Sequence, residues 1–298
     1  MASVEGVERV ELKVEEETLS LEYGERNLIP EVRCVVAVSS GKGGVGKSTV
    51  TANLAIALTQ MGNKVGILDA DILGPSIPTM MGVERPVELF GKRLIPAQAH
   101  GVSYISFGFF VKEKDPVIWR GPMVDGMLRQ LLGDVDWREL DYLLVDLPPG
   151  TGDAQLSLSQ LAKLDGAVAV TTPQDVAVAD VKKGMGMFQK VEVPILGVIE
   201  NMSSFVCPSC GTETAIFSSG GGTLLASEYE VPLLGKVPLD PVVREGGDTG
   251  EPVVAAHPDS PQAERFREIA QALSEEVTKR NLKRRLTHVK PVFTLNQA

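Results

Sequence analysis

The glycine-rich stretch "GKGGVGKS", Gly41 to Ser48, constrains the fold of this chain more than any other feature of the sequence. It fits the pattern G-x-x-x-x-G-K-[ST], follows the apolar run "CVVAVSS" and precedes residues with helical spacing. The backbone N–H groups of such a loop point inward at phosphate oxygens, and the following helix adds its positive N-terminal end. The stretch therefore predicts a strand–loop–helix unit that binds the phosphates of a nucleotide.

The nucleotide ligands expected from this loop are consecutive in the sequence: Gly41, Lys42, Gly43, Gly44, Val45, Gly46, Lys47, Ser48 and Thr49. Lys47 is expected to contact the β- and γ-phosphates as a point charge, and Ser48 to offer its hydroxyl to Mg²⁺. Lys42 is a second lysine in a loop that already holds Lys47. From the residues alone, Lys42 is either a solvated surface lysine or a second functional cation.

Apolar runs rich in valine, isoleucine and leucine recur along the chain at wide spacing. They read "CVVAVSS", "KVGILDAD", "VSYISFGFF", "YLLVDLPP", "GAVAVTT", "PILGVIEN" and "PLLGKVP". Segments with helical spacing lie between several of them, and another, with Phe266, Ile269 and Leu273, lies near the end. This alternation predicts a single α/β P-loop NTPase domain with a mostly parallel sheet of about seven or eight strands and helices on both faces.

Three regions are expected along the chain. Residues 1–30 form an acidic N-terminal extension, residues 31–280 the P-loop ATPase domain with a cysteine loop at 203–213, and residues 281–298 a basic C-terminal tail. The start "MASVEGVERVELK" lacks the apolar core of a secretory signal, and three cysteines in 298 residues do not make a disulfide framework. These observations favour a cytoplasmic location.

The charge and the hydropathy of the chain exclude two classes of partner. The net charge is −10, whereas a nonspecific nucleic-acid binder needs a basic surface that releases counterions from phosphates. The sequence has no run of about 18 uncharged apolar residues, the length that a membrane-spanning helix needs. We therefore expect neither nucleic acid nor membrane among the partners.

Carboxylates follow two of the predicted strands, where the ligands of open α/β sheets bind. In "ILDADILGPS" they are Asp69 and Asp71, and in "LLVDLPPGTGD" they are Asp146 and Asp153. Asp146 follows its strand as a Walker B residue does and is expected to hold Mg²⁺, directly or through water. Asp71 is expected to position the attacking water, with Asp69 as a supporting residue near the metal. For each of them, a capping or solvated aspartate is the alternative.

Two stretches are candidates for recognition of the base. Asn201 ends the strand "PILGVIEN", where its amide can offer both a donor and an acceptor to adenine. The segment "KVPLD" can bring Pro238 and Asp240 to the purine. From the residues alone, a capping asparagine and a turn proline explain these positions at least as well.

The pattern K-G-G-V-G-K-S-T in this loop resembles the deviant Walker A loop of the MinD/ParA/nitrogenase iron protein class of ATPases. The resemblance implies that the nucleotide is ATP and that Lys42 reaches across a homodimer to the partner's nucleotide. It also implies that Lys42, Lys47 and Asp71 serve hydrolysis. The segment "PPGTGD" then fits a switch that senses the γ-phosphate.

Cys207 and Cys210, in "FVCPSCGTET", supply two of the four ligands that a tetrahedral metal or an iron–sulfur cluster usually takes. A dithiol redox switch is one interpretation, although the stretch lacks the helical context of thioredoxin-type motifs. A zinc knuckle within one chain would need further ligands, and no other Cys or His lies between Glu200 and His257. If the chain dimerises, two such loops can meet on the two-fold axis and make four thiolates. Cys34 lies in the first predicted strand and is expected to be a core residue.

Longer stretches of the chain resemble the Mrp/Nbp35 (ApbC) family of iron–sulfur cluster carrier ATPases. They are "SSGKGGVGKSTV", "DADILGPSIP", "IWRGPM", "YLLVDLPPGTGDAQLS", "ENMSSFVCPSCG" and "GKVPLDPVVREGGDTGEP". The resemblance implies a homodimer that holds a labile [4Fe–4S] cluster on Cys207 and Cys210. The cluster would come from scaffold donors and go to apo-proteins. Residues 1–33 contain no cysteine, so we expect the simpler Mrp-like type and not an Nbp35-type member, which carries an N-terminal four-cysteine motif.

Two other functions stay open at this point. One is a positioning or partition switch of the MinD/ParA kind, for which the basic ending "TKRNLKRRLTHVKPVFTL" could serve as a membrane helix. The other is a dimer joined by a structural zinc, since four thiolates suit zinc as well as iron. The sequence "CPSC" favours a cluster carrier over the positioning switch, because positioning gives no reason for a cysteine pair.

Overall fold

The computed structural model describes residues 27–72, 74–110, 121–207 and 209–287, except for the side chains of Asp153 and residues 284–287. The predicted N-terminal extension and the end of the predicted tail therefore lie largely outside the described residues. The strands are β1 Val35–Ser40, β2 Val65–Asp69, β3 Glu88–Phe90, β4 Arg93–Ile95, β5 Ala97–Ala99, β6 Val102–Ser106, β7 Tyr142–Asp146, β8 Gly166–Thr171, β9 Ile195–Val206, β10 Glu213–Thr214 and β11 Leu233–Leu239. The α-helices are α1 Lys47–Gln60, α2 Ile77–Met81, α3 Gly121–Gly133, α4 Asp153–Leu161, α5 Asp175–Lys190, α6 Gly221–Glu228, α7 Pro241–Thr249, α8 Val253–Ala256 and α9 Pro261–Thr287.

Nine of the strands in the described ranges form one sheet. Their order is β10-β9-β8-β1-β7-β2-β6-β5, and β11 pairs with β9. The pairs from β9 across to β6, and the pair β9–β11, are parallel, whereas β5 and β10 pair antiparallel with β6 and β9. This confirms the predicted α/β fold, and each of the seven apolar runs contains one of the longer strands.

The central strands are buried on both faces, which explains their continuous apolar sequences. Every residue of β1, β2, β7 and β8 is buried. On one face of the sheet the core includes Leu54 of α1 and Phe266 of α9, and on the other it includes Leu128 of α3 and Leu158 of α4. Helices therefore cover both faces, as the sequence predicts.

The last helix is longer than the sequence suggested. Phe266, Ile269 and Leu273 of α9 are buried, as expected for a helix that packs on the domain. The helix then continues to Thr287, so the first part of the predicted tail 281–298 is helical. None of the helices in the described ranges is both long enough and apolar enough to cross a bilayer.

The parallel strands bring the candidate residues together at one edge of the sheet. β1 ends at Ser40, β2 at Asp69 and β7 at Asp146, and these three strands are neighbours in the sheet. Because the carboxyl ends of parallel strands lie at the same edge, the loops that follow them share one surface. The fold thus places the phosphate loop beside the two aspartate stretches.

Candidate functional site

The phosphate loop lies between β1 and α1 and curls through two left-handed glycines. Gly44 has φ 79° and Gly46 has φ 78°, a region that residues with a Cβ rarely adopt. At Gly46 a Cβ would also lie 2.2 Å from the amide nitrogen of Asn201. Glycine is thus required at position 46 both by the backbone conformation and by the neighbouring strand β9.

Lys47 and Ser48 meet the carboxylate of Asp146 at the start of α1. Lys47 Nζ lies 2.7 Å from Asp146 Oδ2, and Ser48 Oγ donates to the same oxygen at 2.6 Å. Thr51 Oγ1 lies 2.8 Å from the other oxygen, Asp146 Oδ1. Lys47 and Asp146 are both buried, and because little water reaches them, each charge is neutralised by the other. The structure brings together the lysine, hydroxyl and carboxylate that the sequence predicted for MgATP.

Asp71 and Asp69 lie on the other side of this cluster. Asp71 Oδ2 is 3.6 Å from Lys47 Nζ, so the lysine faces two carboxylates. Asp69 is fully buried and accepts hydrogen bonds from Ser106 Oγ at 2.8 Å and from the backbone N–H of Asp71 and of Ile77 at 3.2 Å. Burial and the negative charge of Asp146 raise the pKa of Asp69 to about 7. Asp69 therefore orders the loop that carries Asp71, and the predicted supporting role near the metal stays a prediction.

Lys42 is half-buried at the start of the phosphate loop. Its Nζ donates to Gln174 Oε1, the residue before α5, at 3.3 Å. The neighbouring Gly41 packs so tightly against α5 that a Cβ would lie 2.1 Å from the backbone nitrogen of Val181. The acceptor of this hydrogen bond is the neutral amide oxygen of Gln174 and not a carboxylate, so the bond does not neutralise the charge of Lys42. Its predicted action on a partner's nucleotide stays a prediction.

The residues proposed for base recognition are engaged within the chain. Asn201 Nδ2 donates to the carbonyl of Val45 at 2.8 Å and so ties β9 to the phosphate loop. Asp240 is the N-cap of α7, because its carboxylate accepts from the N–H of Val242 at 2.8 Å and from Gln262 at 2.5 Å. Pro238 lines a groove of about 310 Å³ between β9, β11 and α9. Asn201 therefore bridges β9 to the phosphate loop and does not cap a helix, and Asp240 caps α7, a role that the sequence did not indicate.

The cysteine pair lies in the loop between β9 and β10. Gly211, with φ 71°, turns the chain, and its N–H donates to the carbonyl of Cys207 at 2.8 Å. Cys207 is half-buried and Cys210 is exposed, whereas Cys34 is buried as expected, although it lies directly before β1 and not in the strand. Cys210 Sγ lies 3.2 Å from Thr212 Oγ1, and hydrogen bonds from the Thr212 hydroxyl and backbone lower the pKa of the Cys210 thiol. The loop presents two thiols at the surface.

Two thiols alone do not complete a tetrahedral site. Within the described ranges, no group of three or more His, Cys, Asp or Glu side chains is arranged to hold a metal ion. A metal or cluster on Cys207 and Cys210 needs two further ligands, which a second copy of the same exposed loop can supply. The donor set fits soft metals such as zinc and iron, which thiolates prefer.

Comparison with known protein families identifies the family of this chain. Residues 31–274 match the model of the NUBPL iron-transfer P-loop NTPase family, a ParA-type group. The chain belongs to this family. It is 51% identical over 255 residues to the "Iron-sulfur cluster carrier protein" of Aquifex aeolicus, which covers 85% of this chain and 70% of that protein. It is 48% identical over 252 residues to the "Iron-sulfur cluster transfer protein NUBPL" of Dictyostelium discoideum, covering 84% and 78%.

Solved structures agree with the family assignment. A nucleotide-binding protein from Archaeoglobus fulgidus, in complex with ADP, is 42% identical, with a TM-score of 0.68 over 79% of this chain and 93% of that chain. The cell division ATPase MinD of Pyrococcus furiosus is 25% identical, with a TM-score of 0.61 over 82% and 99%. The predicted resemblance to cluster carriers and to the MinD/ParA class is confirmed.

Several residues around the site escaped the sequence analysis. Thr51 binds Asp146, Gln155 binds the turn after β7, and Glu200 is buried with its carboxylate 3.3 Å from Lys236 Nζ and 2.5 Å from the N–H of Gly222. Gln155 and Glu200 lie in stretches that resemble the cluster-carrier family, but no role was assigned to any of the three from the sequence. Their signal is weak, because a polar residue next to a motif becomes informative only once the packing of its helix or strand is known.

Proposed function

We propose that this protein is an ATP-hydrolysing iron–sulfur cluster carrier that acts as a homodimer. The observation that carries the proposal is the course of β9. The strand contacts the phosphate loop through Asn201, whose amide binds Val45, and ends at Val206, directly before Cys207. One continuous strand thus joins a phosphate loop to an exposed cysteine pair, in a chain that belongs to an iron-transfer NTPase family.

Four residues would have separate roles at the nucleotide: Lys47, Ser48, Asp146 and Asp71. Lys47 would exchange its carboxylate partners for phosphate oxygens, because a nucleotide brings more negative charge than the aspartates do. The Ser48 hydroxyl and the Asp146 carboxylate, 2.6 Å apart, are the hard oxygen ligands that Mg²⁺ prefers. When bound, Mg²⁺ neutralises part of the negative charge of the phosphates. Asp71, beside Lys47, would orient the attacking water.

Two further parts of the proposal need the second protomer. Lys42 would leave Gln174 and reach the partner's nucleotide, where its charge stabilises the transferring phosphoryl group. Cys207 and Cys210 of both protomers would provide four thiolates for one [4Fe–4S] cluster, the cargo that is received from a scaffold and passed to apo-proteins. The exposure of Cys210 supports transfer, since a cargo ligand must be reached by a client. Adenine would lie near Asn201, Pro238 and Asp240.

A second candidate function is a positioning switch with a structural metal at the dimer interface. The likeness to MinD of Pyrococcus furiosus favours it, since the two share the fold over most of both chains. The identity of about half with cluster carriers, against 25% with MinD, supports the carrier instead. The exposed cysteine pair gives the carrier a site for its cargo, whereas in the switch it would hold only a structural metal.

Two single substitutions test whether the nucleotide and the cluster occupy separate sites. Lys47→Ala should abolish ATP binding, measured by calorimetry, while the reconstituted protein keeps its iron–sulfur absorbance. Cys207→Ala should do the reverse. If Cys207→Ala abolished ATP binding in a folded protein, the proposed division into two sites would be wrong.

A further inference from the structure

The turn between β7 and α4, residues 147–152, is held by a side chain to which the sequence analysis assigned no role. Gln155 of α4 is fully buried, and its Nε2 donates to the carbonyl of Pro148 at 2.9 Å and of Gly150 at 3.0 Å. Because carbonyl oxygens only accept, the amide nitrogen must face them, which fixes the orientation of the amide. Both N–H groups of the Gln155 amide therefore donate to this turn.

The same turn is tied to the strand that enters the phosphate loop. The N–H of Gly150 donates to the carbonyl of Ser40 at 2.9 Å, and the N–H of Leu147 donates to the carbonyl of Val38 at 3.1 Å. Gly150 has φ 95°, a left-handed conformation that favours glycine. The turn follows directly on Asp146, so any change in its position acts at the carboxylate that binds Lys47 and Ser48.

The remaining polar atom of Gln155 has no such anchor. Its Oε1 is buried and has no hydrogen-bond partner among the residues that the structure describes. A buried acceptor without a partner is costly, and folded proteins rarely keep one without a reason. A Cβ built on Gly152 would lie 3.8 Å from this oxygen, so the far end of the turn is its neighbour. The remaining backbone N–H groups of the turn are those of Thr151 and Gly152, because Leu147 and Gly150 donate to β1 and residues 148 and 149 are prolines.

We propose that Gln155 is a positioning residue that stabilises two positions of the turn 147–152. Its N–H groups hold the turn as seen here, and its Oε1 accepts a backbone N–H of the turn when the turn closes on the γ-phosphate of ATP. Gln155 itself does not touch the nucleotide. The inference rests on the proposed function, because it assumes that this site takes ATP.

The test compares Gln155→Met with Gln160→Met. Methionine keeps the length of the side chain and removes its hydrogen bonds, and Gln160 is an exposed residue of the same helix. We would measure kcat and KM for ATP, the affinities for ADP and for a non-hydrolysable ATP analogue, and hydrogen exchange of the backbone amides of Leu147 and of residues 150–152. Gln155→Met should lower kcat about tenfold or more and leave ADP affinity unchanged, because ADP lacks the γ-phosphate. Gln160→Met should behave as the wild type does.

The wild type gives a second measurement that does not depend on folding of a variant. The ATP analogue should slow amide exchange in the turn more than ADP does, and Gln155→Met should remove that difference. Equal exchange with both nucleotides in the wild type would overturn the inference, as would a normal kcat in Gln155→Met. Loss of ADP binding in Gln155→Met would also overturn it, since that would indicate a purely structural role. A wild type that keeps the exchange difference but hydrolyses no ATP would count against the proposed hydrolysis and not against the role of Gln155.

Discussion

At the scale of single residues, the chemistry of this protein depends on charges and thiols whose partners lie far away in the sequence. Lys47 of α1 meets Asp146 of β7 and Asp71 after β2 within one small volume. The sequence predicted this set, because a phosphate loop needs carboxylates at the ends of neighbouring strands. It did not predict Thr51 or Gln155, since their roles depend on how α1 and α4 pack against the loops.

The thiol of Cys210 offers a prediction of pH dependence. The Thr212 hydroxyl and backbone lower the pKa of Cys210, so its reactive thiolate forms at lower pH than in an ordinary cysteine. In metal-free protein, alkylation of Cys210 by iodoacetamide should reach half its maximal rate at a lower pH than alkylation of a cysteine in an unfolded peptide. Thr212→Val should move this midpoint upward, because the hydroxyl contribution is lost. The rates would be followed by mass spectrometry of the Cys210 peptide, and equal midpoints in the two proteins would contradict the assignment.

The glycines of the phosphate loop differ in what they tolerate. Gly46→Ala should lower the free energy of unfolding by at least about 1 kcal/mol, because alanine is strained at φ 78° and its Cβ would clash with the Asn201 amide. Gly43→Ala is the matched control, since no atom lies within 4 Å of a Cβ built there. Urea denaturation of the nucleotide-free proteins measures both. A similar loss in the two variants would show that the contact with β9 is unimportant.

At the scale of elements, the long strands were predictable and the short ones were not. The seven apolar runs were identified because buried parallel strands have continuous hydrophobic sequences. The strands β3 to β5 and β10 escaped, since "ELF", "RLI", "AQA" and "ET" are too short to show a period. The end of α9 was also missed, because residues 281–283 are exposed and the sequence of the last turns shows no apolar stripe.

Asp240 lies at the start of α7 and caps the helix. As N-cap, Asp240 satisfies the N–H of Val242, and Asp240→Ala should cost about 1 kcal/mol of stability in nucleotide-free protein. Asp240→Asn should restore most of that loss, because asparagine caps helices equally well. Chemical denaturation checks the stabilities, and calorimetry with ATP checks the predicted base contact. If Asp240→Ala left the stability unchanged, the capping role would be wrong.

At the scale of the whole molecule, the account requires two copies of the chain. In the proposal, the phosphate loop of one chain binds its own nucleotide, whereas Cys207 and Cys210 give only two of the four ligands of a metal site, and the described residues show no group of three or more metal ligands. The sequence could indicate this only through resemblance, because an interface between two copies leaves no period or motif in a single chain. The thiols of Cys207 and Cys210 and the half-buried Lys42 are the groups that we propose to act together with the second copy of the chain.

Complementation tests the action of Lys42 across the dimer. Lys42→Ala keeps its own phosphate loop, and Lys47→Ala keeps the lysine that acts on its partner, so each variant alone should be inactive. Mixing them should restore part of the ATPase activity, because a mixed dimer joins one intact phosphate loop with one intact Lys42. Steady-state phosphate release from the mixture, compared with each variant alone, measures the recovery. No recovery over a range of mixing ratios would indicate that Lys42 acts within its own chain.

The most direct test of the account is the iron, sulfide and zinc content per chain after anaerobic purification and reconstitution. Wild type would be compared with the double variant Cys207→Ala/Cys210→Ala. The account predicts about two irons and two sulfides per chain, lost in the variant, as one [4Fe–4S] cluster shared by two protomers requires. About half a zinc per chain and no sulfide would contradict it, because the cysteine pair would then join the dimer without carrying a cluster.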